Sequence, residues 1–138
     1  MDAEHLDDRR FHDNPYLEHN HMRLVDVGDD WAEVELTVHP DTLNPLGFAH
    51  GGALFSMADS AAGAAARADG RAYVTLSSSF SFLRSALLGD TVRARGAVRR
   101  RGQTTCYVDV DLTNQKGELL ASGSFIFFHV PELNDRLG

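Results

Sequence analysis

Between Asn44 and Ser60 the chain reads Asn-Pro-Leu-Gly-Phe-Ala-His-Gly-Gly-Ala-Leu-Phe-Ser-Met-Ala-Asp-Ser, which sets several reactive groups around the start of an apolar helix. Asp59 follows six mostly apolar residues and precedes Ser60-Ala61-Ala62. If buried there, a carboxylate must be paired, hydrogen-bonded or set at a polar cavity, so Asp59 is a reacting base or nucleophile, or else a structural hydrogen-bond acceptor. Gly51 falls at the helix start, where backbone N–H groups lack intrahelical partners and the helix dipole favours negative charge. Having no side chain, it permits close approach. An attacking oxygen and a donor aimed at an oxygen that becomes negative are the two parts that attack on a carbonyl requires. His50 can exchange a proton, or hold Asn44 or the turn as a neutral ring. Asn44 can position water or a substrate, or cap the turn.

Asp59 lies eight residues beyond Gly51, about 12 Å along a helix axis. Both groups must come within about 3 Å of the reacting atoms, which one straight helix does not allow. An antiparallel helix from a second subunit brings its own Asp59 opposite the first chain's Gly51. Two equivalent sites per dimer are the consequence.

The surrounding pattern supplies the elements that hold these groups. Asn14-Pro15 reads as an N-cap and first helical residue of a short leading helix anchored by Tyr16 and Leu17. Met22 to Val27 and Trp31 to His39 read as strands; in the second, Ala32, Val34, Leu36 and Val38 share one face. Gly51 to about Arg67 is alanine-rich and apolar over most of its circumference, hence a helix covered on several sides. Tyr73–Leu83, Thr91–Arg99, Gln103–Thr113 and Glu118–Val130 alternate with period two and are joined by short turns, which favours antiparallel neighbours. In the first of these, Val74, Leu76, Phe80 and Phe82 are expected on the core face with Ser78, and Thr75, Ser77, Ser79 and Ser81 opposite. Two strands, one helix and four strands make an α+β fold, one helix covered by a curved antiparallel sheet.

A chain of 138 residues with 43% hydrophobic content fits one domain. The expected divisions are a flexible segment over 1–12, the domain over 13–131 and a tail over 132–138. Net charge is -7, which argues against nonspecific nucleic-acid binding, yet Arg84–Arg101 holds six arginines and one acid that could meet a phosphorylated small molecule. The single Cys106 excludes an internal disulfide framework and reads as a packed thiol. No apolar run approaches the roughly 18 residues of a membrane span and the acidic start lacks a signal peptide's pattern, so cytoplasm is the expected location.

The string Asn44-Pro-Leu-Gly-Phe-Ala-His-Gly-Gly52, continued by Phe55 and Ala58-Asp59-Ser60, resembles the hotdog-fold thioesterase superfamily, in particular the PaaI-like acyl-CoA thioesterases associated with phenylacetate breakdown. Ser79-Phe80-Ser81-Phe82-Leu83-Arg84 and Gly89-Asp90 agree in order. The resemblance, over about 17–130, implies a hotdog fold, self-association as dimers and commonly dimers of dimers, and acyl-CoA bound at the dimer interface without a separate cofactor. It also implies Asp59 as nucleophile or general base, the Gly51 N–H as thioester activator, and contributions from Asn44 and His50. Ser77 falls where some relatives use a hydroxyl to place water or the acyl group. Hydratase or dehydratase chemistry on acyl-CoA, and acyl-CoA binding without turnover, are the alternatives.

Other groups are less specific. Arg93, Arg95 and Arg99 share a strand face that is either solvated or turned to the CoA phosphates, and Arg84 is a separate candidate on the expected substrate side. Phe80, Phe82, Phe125, Phe127 and Phe128 read mainly as sheet core. Gly51-Gly52 lacks the Lys-Ser/Thr of a phosphate-binding loop, no Gly-x-Ser-x-Gly elbow is present, and His19 and His21 lack a third convergent ligand, so no metal is expected. An aromatic and basic nucleic-acid-binding pattern is likewise absent.

Overall fold

Asn14 opens the described part of the computed structural model, which covers residues 14–137; the expected flexible segment 1–12 lies outside it. The Asn14 side chain accepts from Leu17 N–H, capping helix α1 (Pro15–His19) as its sequence indicates. Strands β1 (Met22–Gly28) and β2 (Trp31–Thr37) form a hairpin. Helix α2 (Gly51–Ala66) follows, then β3 (Tyr73–Phe82), β4 (Thr91–Arg101), β5 (Thr105–Thr113) and β6 (Leu119–His129). A 3-10 segment, Pro131–Leu137, ends the described chain, and Asn134 Oδ1 accepts from Ala72 N–H at 2.8 Å, tying it to the body.

The six strands form one antiparallel sheet in the order β1-β2-β4-β5-β6-β3. Ala32, Val34 and Leu36 of β2, Val92 and Ala94 of β4, and Val108, Val110 and Leu112 of β5 are buried against α2. Small residues set the separation, as the alanine-rich helix requires. At Gly96 an added Cβ would come within 2.8 Å of the Ala61 carbonyl, so helix and sheet touch backbone to backbone there. No helix in the described residues is long and apolar enough to cross a membrane.

Strand β3 departs from the expected alternation. Thr75 is opposite Phe127 and Ser77 opposite Ile126, so Leu76 is an extra residue in a bulge. An extra residue reverses which face each later side chain occupies. Tyr73 and Thr75 therefore share the helix-facing side with Ser78 and Phe80, while Val74 and Leu76 point away, 45% and 60% exposed. Phe82 is also 55% exposed and Phe128 is exposed, so of the five phenylalanines only Phe125 and Phe127 are core and Phe80 is half-buried. β3 is thus an edge strand with apolar side chains in solvent.

The C-terminal end of α2 is closed by Arg101. Its guanidinium donates to the Ala66 and Ala65 carbonyls and to Asp69, Asp30 and the Tyr73 hydroxyl. Burial, then the hydrogen bond to Asp69, pushes the Tyr73 phenol up to about 12. Cys106 is packed in the core as its strand position indicates, and burial raises its thiol.

Candidate active site

His50 is the N-cap of α2, in extended backbone (φ -62°, ψ 138°). Its Nδ1 accepts from the Gly52 N–H at 2.8 Å. That lone pair is committed, so the neutral ring carries its proton on Nε2 and offers a donor rather than a base. Gly52 is small for a local reason, because a Cβ there would sit 3.0 Å from His50 Nδ1.

Gly51 has no such reason. Its φ is ordinary, and an added Cβ would stand 3.4 Å from the nearest atom, Cζ of Phe82. As the first helical residue its N–H has no acceptor among the described residues. Here a bare backbone donor opens onto a groove of ≈ 360 Å³ whose walls include Asn44, Leu54, Phe82 and Arg84.

Asn44 shapes the loop that leads into the helix. Its Oδ1 accepts from Leu46 N–H at 3.0 Å and Phe48 N–H at 3.1 Å, and its backbone N–H donates to the Phe48 carbonyl at 2.7 Å. Gly47, at φ 87°, completes the turn in a region that favours glycine. Capping the turn occupies the carbonyl end of the amide. The Nδ2 end has no hydrogen-bond partner among the described residues, and Asn44 is one of the residues that line the groove.

Asp59 is half-buried, two helical turns away, and does not line this groove. Its Oδ1 accepts from the Thr75 hydroxyl at 2.8 Å, while Oδ2 has no hydrogen-bond partner among the described residues. Thr75 is the site residue that sequence reasoning missed. A strict period of two puts Thr75 and Ser77 on the same face, and only the bulge at Leu76 separates them. Ser77 is exposed opposite Ile126 and turned away from Asp59.

The arginines divide. Arg84 lines the groove and pairs with Glu118 at 2.7 Å, which lowers the Glu118 carboxyl after the larger effect of Asn114. Arg93 instead bridges Glu33 at 3.0 Å and Glu35 at 2.6 Å, and Arg95 reaches Glu33 at 2.7 Å while lying 4.2 Å over the Trp31 ring. The hydrogen bond from Arg93 is the main cause holding the Glu35 carboxyl below its usual range. Arg93 and Arg95 thus serve the β2–β4 pairing and are not brought to the groove.

Residues 46–121 match the family described as the thioesterase superfamily. The acyl-coenzyme A thioesterase PaaI of Escherichia coli K12 is 35% identical over 98 residues, 71% of this chain and 70% of that protein. The chain belongs to the thioesterase superfamily. It is a PaaI-like thioester hydrolase, and its central helix and curved six-stranded sheet are the hotdog fold. The solved E. coli PaaI structure superposes with TM-score 0.83 at 29% identity, over 86% of each chain. A hypothetical thioesterase protein of Streptococcus pneumoniae TIGR4, solved with coenzyme A, gives 0.77 at 34% identity over 80% of this chain and 86% of that one. Two mutants of that protein carry an Asp-to-Ala and a Thr-to-Ala change sixteen positions apart, the separation of Asp59 and Thr75 in this thioesterase.

Proposed function

We propose that this thioesterase hydrolyses acyl- or aryl-acyl-CoA, of the phenylacetyl or medium-chain class, to the free carboxylic acid and CoA at sites shared between two copies of the chain. The observation that carries this reading is the division of the machinery. Gly51 N–H and the groove lie at one end of α2, whereas Asp59 and Thr75 lie two turns along it, beside an edge strand with exposed Val74, Leu76 and Phe82. An antiparallel second copy along β3 covers that apolar edge and sets its Asp59 against the first chain's Gly51. Pairing of such dimers into tetramers is the larger assembly expected of it.

In this site the Gly51 N–H receives the thioester oxygen as it becomes negative, aided by the helix dipole. Asp59 of the facing copy, held through Oδ1 by Thr75, uses Oδ2 either to take a proton from the attacking water or to add to the carbonyl itself. The C–S bond then breaks and the thiolate leaves as CoA. In the second path, water afterwards opens the mixed anhydride. Asn44 Nδ2 and His50 Nε2–H are the donors left to orient the thioester, and Arg84, which lines the groove, is the arginine that would meet CoA phosphates.

Thiol release from phenylacetyl-CoA and a straight-chain acyl-CoA series tests the reading. Release is expected from at least one class and lost in Asp59→Asn with assembly retained. Near-wild-type turnover in that variant would remove Asp59 from the mechanism. Single turnover in oxygen-labelled water separates the two paths, since label in Asp59 is expected only from the anhydride.

A further inference from the structure

The β1–β2 hairpin sets Met22 opposite Leu36, and so brings His21 beside the turn that follows β2. There the sequence offers His39-Pro40-Asp41. His21 Nε2 lies 3.0 Å from Asp41 Oδ2, and His39 Nδ1 lies 3.5 Å from the same oxygen. Among the described residues these three form the group whose imidazole and carboxylate donors all fall within 4.8 Å of one another. His19, two residues earlier at the end of α1, is near enough to help lower the Asp41 carboxyl, behind the larger effect of the His21 hydrogen bond. The convergent ligands that His21 lacks in the linear sequence, His39 and Asp41, are supplied by the fold.

We propose that His21, His39 and Asp41 form a binding site for a borderline divalent cation such as Zn²⁺, separate from the residues assigned to thioester chemistry. The donor chemistry selects the ion: two imidazoles and one carboxylate suit zinc and its neighbours rather than Mg²⁺ or Ca²⁺. Spacing agrees as well. Ligands held tetrahedrally at about 2.0–2.1 Å stand about 3.3 Å apart, and the two observed separations, 3.0 and 3.5 Å, bracket that value. Three protein ligands leave the fourth position to water or to His19.

The structure also limits the affinity. The His21 and His39 rings are stacked, 3.8 Å apart and 14° from parallel, and His39 Nδ1 accepts from the Asp41 N–H at 3.0 Å. A cation competes with that hydrogen bond for the His39 Nδ1 lone pair, and losing the bond weakens binding. The bound ion would fasten the start of β1 to the turn that leads, through the Thr42 carbonyl and the His50 N–H at 2.7 Å, to the helix cap. A rise in melting temperature is the expected result.

Titration calorimetry of the full chain with ZnCl₂, and the visible spectrum of Co²⁺ added in its place, test the site. Saturable binding of one ion per chain and a tetrahedral Co²⁺ spectrum are expected. Both are weakened at least tenfold in His21→Asn and in His39→Asn. Asparagine tolerates the positive φ of 64° at position 21, and its oxygen can replace the His39 cap. Asp41→Asn leaves the capping backbone N–H in place and is a further arm should either histidine variant fold poorly. Thioester hydrolysis without added metal stays at the wild-type level in all three. Unsaturable binding in the wild type, or unchanged affinity in the folded variants, would overturn the proposal.

Discussion

Replacing Gly51 with proline deletes one hydrogen-bond donor and little else. Proline is favoured at the first position of a helix, where its missing N–H has no intrahelical role, and His50 before it already has the extended backbone that a following proline requires. The fold should therefore tolerate Gly51→Pro with a stability change within about 1 kcal/mol. The chemistry should not, because loss of one oxyanion donor costs about 10²–10³ in turnover, or about 2.7–4 kcal/mol. Gly51→Ala is the matched control: it keeps the N–H and adds a methyl 3.4 Å from the Phe82 ring. Thiol-release kinetics on both variants, alongside thermal unfolding, should show Gly51→Pro at least tenfold below Gly51→Ala in kcat with similar melting temperatures. Equal kcat values in two folded variants would refute Gly51 N–H as the donor.

Thr75→Val keeps the shape of the side chain but removes the 2.8 Å bond to Asp59. A hydrogen bond to a charged group contributes about 1.5–3 kcal/mol, so kcat should fall about 10–100-fold with KM little changed and Thr75→Ser should restore most of it; a wild-type kcat would mean that Thr75 does not position Asp59. Leu76→Asp places a charge on the exposed apolar edge, and sedimentation should find a monomer without hydrolytic activity, whereas an intact oligomer would locate the interface elsewhere. Alkaline stability reports on Tyr73. Its raised value means the folded state favours the protonated phenol, so that contribution is present below about pH 10 and lost as pH rises through about 12. Urea midpoints should fall across that window in the wild type and less steeply in Tyr73→Phe.

Local chemistry made most of the fold legible in the sequence. The Asn14-Pro15 cap, the alanine-rich helix and the alternation of β2, β4, β5 and β6 each follow from residue type and period, and their boundaries agree to within a few residues. The turn at Asn44 and the helix start at His50 and Gly51 were legible for the same reason, since each is contiguous in the chain. Long-range register was not. Arg93 and Arg95 read as a basic face until Glu35 and Glu33 are set directly across from them, and nothing in the arginine run itself names those partners. The bulge at Leu76 hid the hydrogen bond of Thr75 to Asp59, because one extra residue reverses a strand's faces without changing its composition. His39 and Asp41 joined His21 only through hairpin pairing. The exposed apolar edge of β3 reads as core in the sequence because apolar alternation does not tell an interior strand from an edge strand.

The central claim is that each site takes Gly51 from one chain and Asp59 from another, and mixed assemblies test it most directly. Gly51→Pro and Asp59→Asn chains, each inactive alone, are unfolded together and refolded as a mixture. In a mixed pair one site lacks both groups and the other keeps both. With random pairing half of the dimers are mixed, so activity should return to about a quarter of the wild-type value. A mixture as inactive as its components, with mixed assemblies verified by mass, would contradict the shared site.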